Sequence, residues 1–131
     1  IKVFNNGKML RDFTYIDDVI KSINLLIKKP ATSYPFFDKK KPDPSISWVP
    51  YKIFNIGNSK PISLMEYINE IEDSLGTKAI IDYQPLQAGD VEATSADISN
   101  LVKYINYRPN TSVKVGIGKF VDWYKNFYKI Y

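Results

Sequence analysis

The chain has 131 residues, of which 44% are hydrophobic, and a net charge of +4, a balance typical of one globular domain or a piece of a larger one. It holds neither cysteine nor histidine, which excludes disulfide scaffolds, thiolate metal sites, imidazole bases and Ser-His-Asp triads. No apolar run reaches the roughly 18 residues of a membrane-spanning helix, and only two of the 18 basic residues are arginines, so we expect a cytoplasmic protein that binds neither membrane nor nucleic acid.

A strand, a turn and a helix are predicted over the first 30 residues. Residues 1–4 form a short apolar run without an initiator methionine, so we expect the chain to begin mid-strand inside a longer protein. An Asn-Gly pair then turns the chain, and residues 9–15 continue extended. Apolar residues at helical spacing predict a helix over residues 16–27, with Asp17 as its N-cap and Pro30 as its stop.

Residues 30–50 form a segment that we call the proline-rich insert, because five of the eight prolines fall in it. A loop of this length is uncommon inside a compact domain. The elements on both sides resemble parts of one fold, so we expect a single unit over residues 1–131 and not two linked domains. The composition favours a partly disordered insert over a functional lid.

Two strands flank a helix in the middle of the chain. Residues 51–56 alternate weakly and residues 78–83 are rich in β-branched side chains, which predicts a strand in each range. Between them Ser63 opens a capping box with Glu66, in which each side chain satisfies a backbone amide at the helix start. Gly76 supplies the C-terminal stop of this helix.

Two further helices complete the predicted architecture. Asp97 is placed to cap a short helix that runs to about residue 104, and Thr111 or Ser112 begins the last helix. The inward face of the last helix is predicted to consist of Val113, Ile117, Phe120, Val121, Tyr124 and Phe127 or Tyr128. The succession of strands and helices predicts an α/β fold.

Several residue patterns that carry catalysis in other enzymes are missing. No glycine-rich phosphate loop follows a predicted strand, and the Gly116-x-Gly118 pair lies inside the last helix, where we expect it to permit close packing. None of the ten tyrosines is followed by a lysine four residues later. Asp17 and Asp18 do not face each other on a helix and are expected to favour its N-terminus. The sequence therefore offers no catalytic residue and no metal ligand set.

Three motifs occur in an informative order. Residues 11–18 read Arg-Asp-Phe-Thr-Tyr-Ile-Asp-Asp, residues 55–59 read Asn-Ile-Gly-Asn-Ser, and residues 87–91 read Gln-Ala-Gly-Asp-Val. The order and spacing resemble the C-terminal part of the extended short-chain dehydrogenase/reductases. The nearest resemblance is to the UDP-glucuronate 4-epimerases of bacterial capsule and surface-polysaccharide synthesis, whose aromatic-rich last helix is matched at residues 120–124.

The resemblance implies a fragment of a Rossmann-like fold, mainly the UDP-sugar-binding portion. Enzymes of this kind oxidise the sugar at C4 with tightly held NAD, pass through a 4-keto intermediate and return hydride to the opposite face. The glycine-rich loop and the Tyr-x-x-x-Lys pair would belong to an N-terminal half that this sequence lacks. The resemblance therefore implies that this chain alone binds no NAD stably and has no epimerase activity. An exposed apolar face and strand edge would favour docking to that half or a homo-oligomer.

The resemblance also implies a role for residues near the start of the chain. Arg11 would contact the diphosphate of a UDP-sugar, since its planar guanidinium binds phosphate oxygens bidentately. A structural ion pair with a neighbouring carboxylate is the alternative for Arg11. Lys2, Val3 and Phe4 would lie along the uracil, with backbone groups reading its edge and Phe4 packing on its face. A plain core strand is the alternative there.

Two loop residues complete the implied substrate site. Asp90 would accept hydrogen bonds from the ribose hydroxyls, and Gln87 would lie just before it. Galactose-type relatives typically carry arginine at the position of Gln87, so the resemblance implies no two-arginine phosphate clamp here and fits the uronate-using branch. A capped loop turn is the alternative for both residues.

Two other functions stay open on the sequence alone. A related UDP-sugar dehydratase or decarboxylase would share the same motifs, since the segment that separates these chemistries lies upstream. A non-enzymatic basic interaction module is the second alternative.

Overall fold

The computed structural model describes residues 1–130. Four short strands and four helices alternate along this range, together with a 3₁₀ turn at Phe4–Gly7. The strands are β1 (Lys2–Val3), β2 (Leu10–Arg11), β3 (Ile62–Ser63) and β4 (Asp82–Tyr83), and the helices are α1 (Ile16–Ile27), α2 (Leu64–Leu75), α3 (Ser99–Ile105) and α4 (Val113–Tyr128). The architecture is α/β, as predicted. No helix within residues 1–130 is long and apolar enough to cross a membrane.

The strands form two separate two-stranded sheets. β1 pairs in parallel with β4, with Val3 opposite Tyr83, and β2 pairs in antiparallel fashion with β3, with Leu10 opposite Ser63. Leu10 also forms an isolated parallel bridge with Ala93. β2 is therefore the place where β3 and the loop that follows β4 meet.

A small apolar core lies between the helices and the two sheets. α2 packs along α4, and α1 contacts α3. The buried hydrophobic side chains are Val3, Met9, Ile68, Ile98, Leu101, Ile117 and Val121. They come from the start of the chain, from α2 and from residues 98–121, so neither α1 nor the proline-rich insert contributes a buried hydrophobic side chain to this core.

The proline-rich insert consists of turns and bends. An isolated bridge pairs Ile46 with Lys52, and the Tyr34 amide donates to the Ser47 carbonyl oxygen at 3.2 Å. Trp48 is half exposed and lies under the Lys39 ammonium, which is 4.0 Å from the ring centroid. This cation–π contact holds the middle of the insert to its own end.

The predicted strand at residues 51–56 is wrong. Apart from the bridge of Lys52, these residues join no ladder, and Ile53 is 51% exposed. Their pattern is that of a strand, but no described strand lies beside them to accept their backbone hydrogen bonds.

Two other predicted strands are shorter in the structure. β1 ends at Val3 because Asn5 and Asn6 adopt left-handed φ angles of 51° and 48° in the 3₁₀ turn. The strand expected over residues 78–83 is reduced to the two residues of β4. Its partner β1 is also two residues long, so only two positions can pair.

The helix boundaries follow their capping residues in most cases. Ser63 accepts a hydrogen bond from the Met65 amide at 3.1 Å, and Gly76 ends α2 at a left-handed φ of 68°, so the Ser63 cap and the Gly76 stop are confirmed. The reciprocal half of the capping box is not, since no hydrogen bond within residues 1–130 joins the Glu66 carboxylate to the Ser63 amide. The prediction of Asp17 as the cap of α1 is wrong, since Tyr15 occupies the N-cap without a side-chain hydrogen bond. Asp17 is the second residue of α1, where its negative charge interacts favourably with the positive N-terminal end of the helix dipole.

The predicted inward face of α4 is wrong in its aromatic half. Ile117 and Val121 are buried, whereas the aromatic side chains that follow stay open to solvent. The exposed aromatic residues on α4 are Phe120, Trp123, Tyr124, Phe127 and Tyr128. They stack on one another along the helix, with ring centroids 4.7 to 6.1 Å apart.

The apolar row of α1 is likewise open to solvent. Four isoleucines at helical spacing along α1 are 39% to 72% exposed. They are Ile16, Ile20, Ile23 and Ile27. We call this row together with the aromatic side chains of α4 the open apolar surface, since Ile16 and Phe120 line the same cavity at its centre.

Candidate functional site

Arg11 is the centre of a small polar cluster at the end of β2. Its Nη2 donates to Asp90 Oδ1 at 3.0 Å, and its Nη1 donates to the carbonyl oxygens of Leu10 at 2.9 Å and Glu92 at 3.2 Å. The Arg11 and Asp90 side chains are 23% and 36% exposed. The structure thus brings together two predicted site residues that are 79 positions apart in the sequence. Their contact is also the ion pair with a carboxylate that the sequence left as the alternative role of Arg11.

Asp90 is held in a tight turn of the loop after β4. Its amide donates to the Gln87 carbonyl oxygen at 3.1 Å, and its Oδ1 accepts from the Val91 amide at 2.8 Å. Gly89 adopts a left-handed φ of 84° inside the turn. Gln87 therefore lies beside Asp90 through the backbone, and its own side chain is exposed.

The predicted uracil-facing residues lie on a separate strand. The Val3 side chain is 1% exposed, and its carbonyl oxygen accepts from the Gln84 amide at 2.9 Å. Lys2 is exposed and Phe4 is half-buried. No hydrogen bond within residues 1–130 joins these three residues to Arg11, but β4 connects their strand to the loop that carries Asp90.

Asp12 joins two loops through its hydrogen bonds, a role that the sequence motifs did not indicate. Its Oδ2 accepts from the amides of Ser59 and Ala96, both at 3.0 Å, and its Oδ1 accepts from the Lys60 amide at 3.3 Å. A Cβ on Gly57 would lie 2.4 Å from the Ala96 Cβ and 3.0 Å from Asp12 Oδ2. Glycine at this position of the second motif is therefore required by the closeness of the two loops.

A second buried carboxylate, Asp18, ties α1 to the segment before α4. It is 7% exposed and accepts from the Tyr107 hydroxyl, the Thr111 amide at 2.9 Å and the Asn110 amide at 3.2 Å. Burial raises the pKa of Asp18, but the hydrogen bonds from Tyr107, Thr111 and Asn110 together outweigh it and lower the pKa. Burial and the bond to Asp18 raise the pKa of Tyr107 to about 12.

An open cavity of about 490 Å³ lies next to the polar cluster. Its lining residues are Asp12, Thr14, Phe54, Asn55, Ile56, Gly57, Thr94, Ser95 and Ala96, so Arg11 and Asp90 stand outside it. Asp12 lies in the cavity wall, and its three hydrogen bonds hold the two neighbouring loops together. Among residues 1–130 no cluster of acidic side chains is arranged to hold a metal ion.

The chain is similar in sequence to several curated proteins over nearly its whole length. The chain is 46% identical over 129 residues to Protein CapI of Staphylococcus aureus, a match that covers 98% of this chain and 39% of CapI. It is 34% identical over 130 residues to a probable UDP-glucuronate 4-epimerase of Rhizobium meliloti, covering 98% of this chain and 38% of that protein. The chain thus spans about two-fifths of the length of these relatives. No family model matches it.

The structural comparison agrees with the sequence comparison. The fold superposes on the crystal structure of UDP-glucuronic acid 4-epimerase from Bacillus cereus in complex with UDP-glucuronic acid and NAD with a TM-score of 0.72 and 27% identity. This match covers 97% of the chain described above and 35% of the Bacillus chain. The similarity therefore extends over nearly all elements of the fold.

Proposed function

We propose that this chain binds the nucleotide of a UDP-sugar. The chain is homologous to part of the UDP-glucuronate 4-epimerases and shares the fold of the extended short-chain dehydrogenase/reductases. The observation that carries the proposal is the cluster of Arg11 and Asp90 at the end of β2. A cation suited to phosphate and a carboxylate suited to a vicinal diol lie 3.0 Å apart, although they come from distant parts of the sequence.

Arg11 retains donors for a diphosphate. A guanidinium has five N–H groups, and three of these are used within residues 1–130, by Leu10, Glu92 and Asp90. Two donors are left, which is enough for a bidentate contact with phosphate oxygens. Asp90 has a second carboxylate oxygen for the ribose hydroxyls, and the exposed side chain of Gln87 borders it.

The uracil is proposed to lie along β1. Because the Val3 side chain is buried, only its backbone is available, and its carbonyl oxygen is already bonded to Gln84. Lys2 and Phe4 therefore carry this part of the proposal. Replacing Phe4 by alanine should weaken the binding of uridine as well as UDP; unchanged uridine affinity in calorimetry would remove Phe4 from the site.

The sugar and the reaction are proposed for the whole protein that the relatives represent. The names of the Rhizobium relative and the Bacillus structure favour interconversion of UDP-glucuronate and UDP-galacturonate, and that of CapI fits a role in capsule synthesis. A related UDP-sugar dehydratase or decarboxylase is the second candidate, since the chain spans only about two-fifths of its relatives.

The residues of this chain do not fit NAD. The glycines that lie closest to other atoms are Gly7 and Gly57, and a Cβ on them would meet the side chains of Met65, Ala96 and Asp12. These close approaches are filled by the protein itself and form no phosphate cradle. We therefore assign NAD to another part of the protein and propose that this chain alone binds none stably.

The open apolar surface is proposed to be covered by a dinucleotide-binding half. The isoleucines of α1 and the aromatic residues of α4 are exposed large apolar side chains of the kind that mark an interaction surface. Residues 1–131 would then act as one unit of a larger fold, with residues 30–50 as a surface insert. A homo-oligomer is the alternative cover. Sedimentation with and without the dinucleotide-binding half of a relative separates the two.

Calorimetry with UDP tests the nucleotide site. We expect Arg11→Ala to weaken UDP binding about 10- to 100-fold, because a charge-assisted bidentate contact is lost, and Asp90→Ala to weaken it as well. Arg108→Ala is the matched control, since Arg108 is the other arginine of the chain and is exposed outside the cluster.

Two outcomes would contradict the proposal. The first is the absence of UDP binding by the chain alone and also after addition of the dinucleotide-binding half of a relative. The second is binding of an oligonucleotide or heparin that falls steeply with salt while UDP is ignored, which would favour the basic interaction module.

A further inference from the structure

The segment that carries Asp90 is attached to β2 along its length. The Leu10 amide donates to the Glu92 carbonyl oxygen at 2.9 Å, and the Thr94 amide donates to the Leu10 carbonyl oxygen at 3.1 Å. Asp12 then fixes the end of the segment by accepting from the Ala96 amide at 3.0 Å. Residues 90–96 therefore lie alongside β2 from the Arg11 guanidinium to the Asp12 carboxylate.

Asp12 also fixes the other side of this arrangement. Its carboxylate accepts from Ser59 and Lys60, so the loop before β3 is held against the same strand end as Ala96. Both acceptors of the guanidinium outside β2, namely Asp90 and Glu92, lie on the segment that Asp12 anchors. Their positions therefore depend on this carboxylate.

We propose that Asp12 is a positioning residue for phosphate recognition: it holds residues 90–96 so that Asp90 and Glu92 orient the Arg11 guanidinium. The inference rests on the proposed function, in which Arg11 contacts the diphosphate. Asp12 itself touches no ligand in this role and acts through Arg11.

The chemistry of the position requires a carboxylate of this length. Three backbone N–H groups converge on two oxygens, and asparagine would offer one oxygen and turn an NH₂ group toward an N–H donor. Glutamate would add a methylene beside Gly57, where a Cβ added to the glycine would come within 3.0 Å of Oδ2, so the longer side chain would be crowded. Asp12→Asn therefore changes the hydrogen bonding with the smallest change in volume.

The test compares two asparagine variants in the full 131-residue chain. Asp12→Asn should weaken UDP binding about tenfold, the effect of losing one part-buried charge-assisted hydrogen bond. Asp18→Asn is the matched control, because Asp18 also accepts from two backbone amides and a hydroxyl but contacts the segment before α4. It should leave UDP affinity within about twofold of the unsubstituted chain when both variants are compared below their melting temperatures.

A double-mutant cycle separates positioning from general loosening. With Arg11→Lys, which keeps a charge but loses the planar fork, Asp12→Asn should weaken UDP binding less than about threefold, because the group it positions is gone. A full tenfold loss in this background would overturn the proposal. If the unsubstituted chain binds no UDP either alone or after addition of the dinucleotide-binding half of a relative, the proposed function fails. If Arg11→Ala weakens binding but Asp12→Asn behaves like Asp18→Asn, only the role of Asp12 fails.

Amide exchange tests the same coupling without any substitution. Because coupling between two sites is reciprocal, UDP should slow hydrogen exchange at the Ala96 amide, which is bonded to Asp12, and leave the Thr111 amide, which is bonded to Asp18, unchanged. Equal exchange at Ala96 with and without saturating UDP would contradict the proposal even if Asp12→Asn failed to fold.

Discussion

At the scale of single residues, the Asp18 carboxylate connects two regions that the sequence leaves unrelated. It was expected to favour the N-terminus of α1, and in the structure it also accepts from Tyr107, Asn110 and Thr111. These partners come from the turn between α3 and α4. The contact could not be predicted from the sequence because nothing local indicates which loop meets the first turn of α1.

Replacing Asp18 by asparagine should destabilise the fold by about 1–3 kcal/mol, because buried amides and the Tyr107 hydroxyl lose their charged acceptor. Urea denaturation followed by circular dichroism measures this loss. Asp17→Asn is the control, since Asp17 is largely exposed and makes only a 3.7 Å contact with Lys119. It should cost less than about 0.5 kcal/mol.

The pH dependence follows from the lowered pKa of Asp18. A carboxyl whose pKa is lower in the folded chain than in the unfolded one stabilises the fold above the unfolded value of about 3.9. This contribution is lost as the pH falls through the folded pKa. Urea midpoints should therefore fall below about pH 4 more steeply for the unsubstituted chain than for Asp18→Asn, and parallel curves would contradict the assignment.

The site residues differ in how far the sequence could predict them. Arg11, Gln87 and Asp90 were named from a motif resemblance, and the structure brings the three into one cluster. Asp12 lies beside Arg11 in the same motif, yet its role depends on amides 47 to 84 residues away. The glycine of the second motif, Gly57, was the one sequence signal for this role, since a glycine can mark a place where two backbone segments come close.

At the scale of elements, helices were easier to predict than strands. α2 and α4 have local signals in Ser63, Gly76 and Ser112, and Ser112 accepts from the Val115 amide at 3.3 Å. A strand needs a partner, and residues 51–56 have none within residues 1–130 beyond the bridge of Lys52. Side-chain pattern alone could not show this, because it reports burial and alternation but not which backbone lies alongside.

The two glycines of α4 give a matched prediction at this scale. A Cβ on Gly116 would lie 3.0 Å from the Tyr15 ring, so the predicted close packing is confirmed there. A Cβ on Gly118 would meet no atom of a neighbouring element within 4 Å, so the prediction is wrong for Gly118. Gly116→Ala should lower the free energy of unfolding by about 1–2 kcal/mol through overpacking. Gly118→Ala should raise it by about 0.5–1 kcal/mol, the gain in helix propensity.

Thermal melts of the two alanine variants measure the difference. The expected order is Gly118→Ala above the unsubstituted chain and Gly116→Ala below it. If both variants melt at a higher temperature, the Tyr15 contact is not tight.

At the scale of the whole molecule, an exposed apolar face was expected for a partial fold, and apolar side chains of α1 and α4 do lie open, including the aromatic residues of α4 that were predicted to face inward. Periodicity identifies an apolar face but not its partner, so this exposure could not be read from the spacing of Ile20 or Phe120. The chain matches only about two-fifths of its relatives. We propose that the open apolar surface packs against a part of the protein that lies outside this chain.

The same argument gives a prediction for activity. The 131-residue chain with NAD and UDP-glucuronate should form no UDP-galacturonate, because it has neither a glycine-rich cofactor loop nor a Tyr-x-x-x-Lys pair. Chromatography of the nucleotide sugars measures the product. Turnover by the purified chain above that of a heat-denatured control would contradict the assignment of the chemistry to another part of the protein.

The two tryptophans of the chain are well placed to act as built-in optical reporters. Trp48 lies against Lys39 in the proline-rich insert, and Trp123 is 53% exposed on α4, while neither belongs to the Arg11 cluster. UDP should therefore leave the fluorescence of the chain nearly unchanged, whereas a protein that covers α4 should shift the Trp123 emission to the blue. With Trp48→Phe as the background, one emission spectrum distinguishes nucleotide binding from assembly.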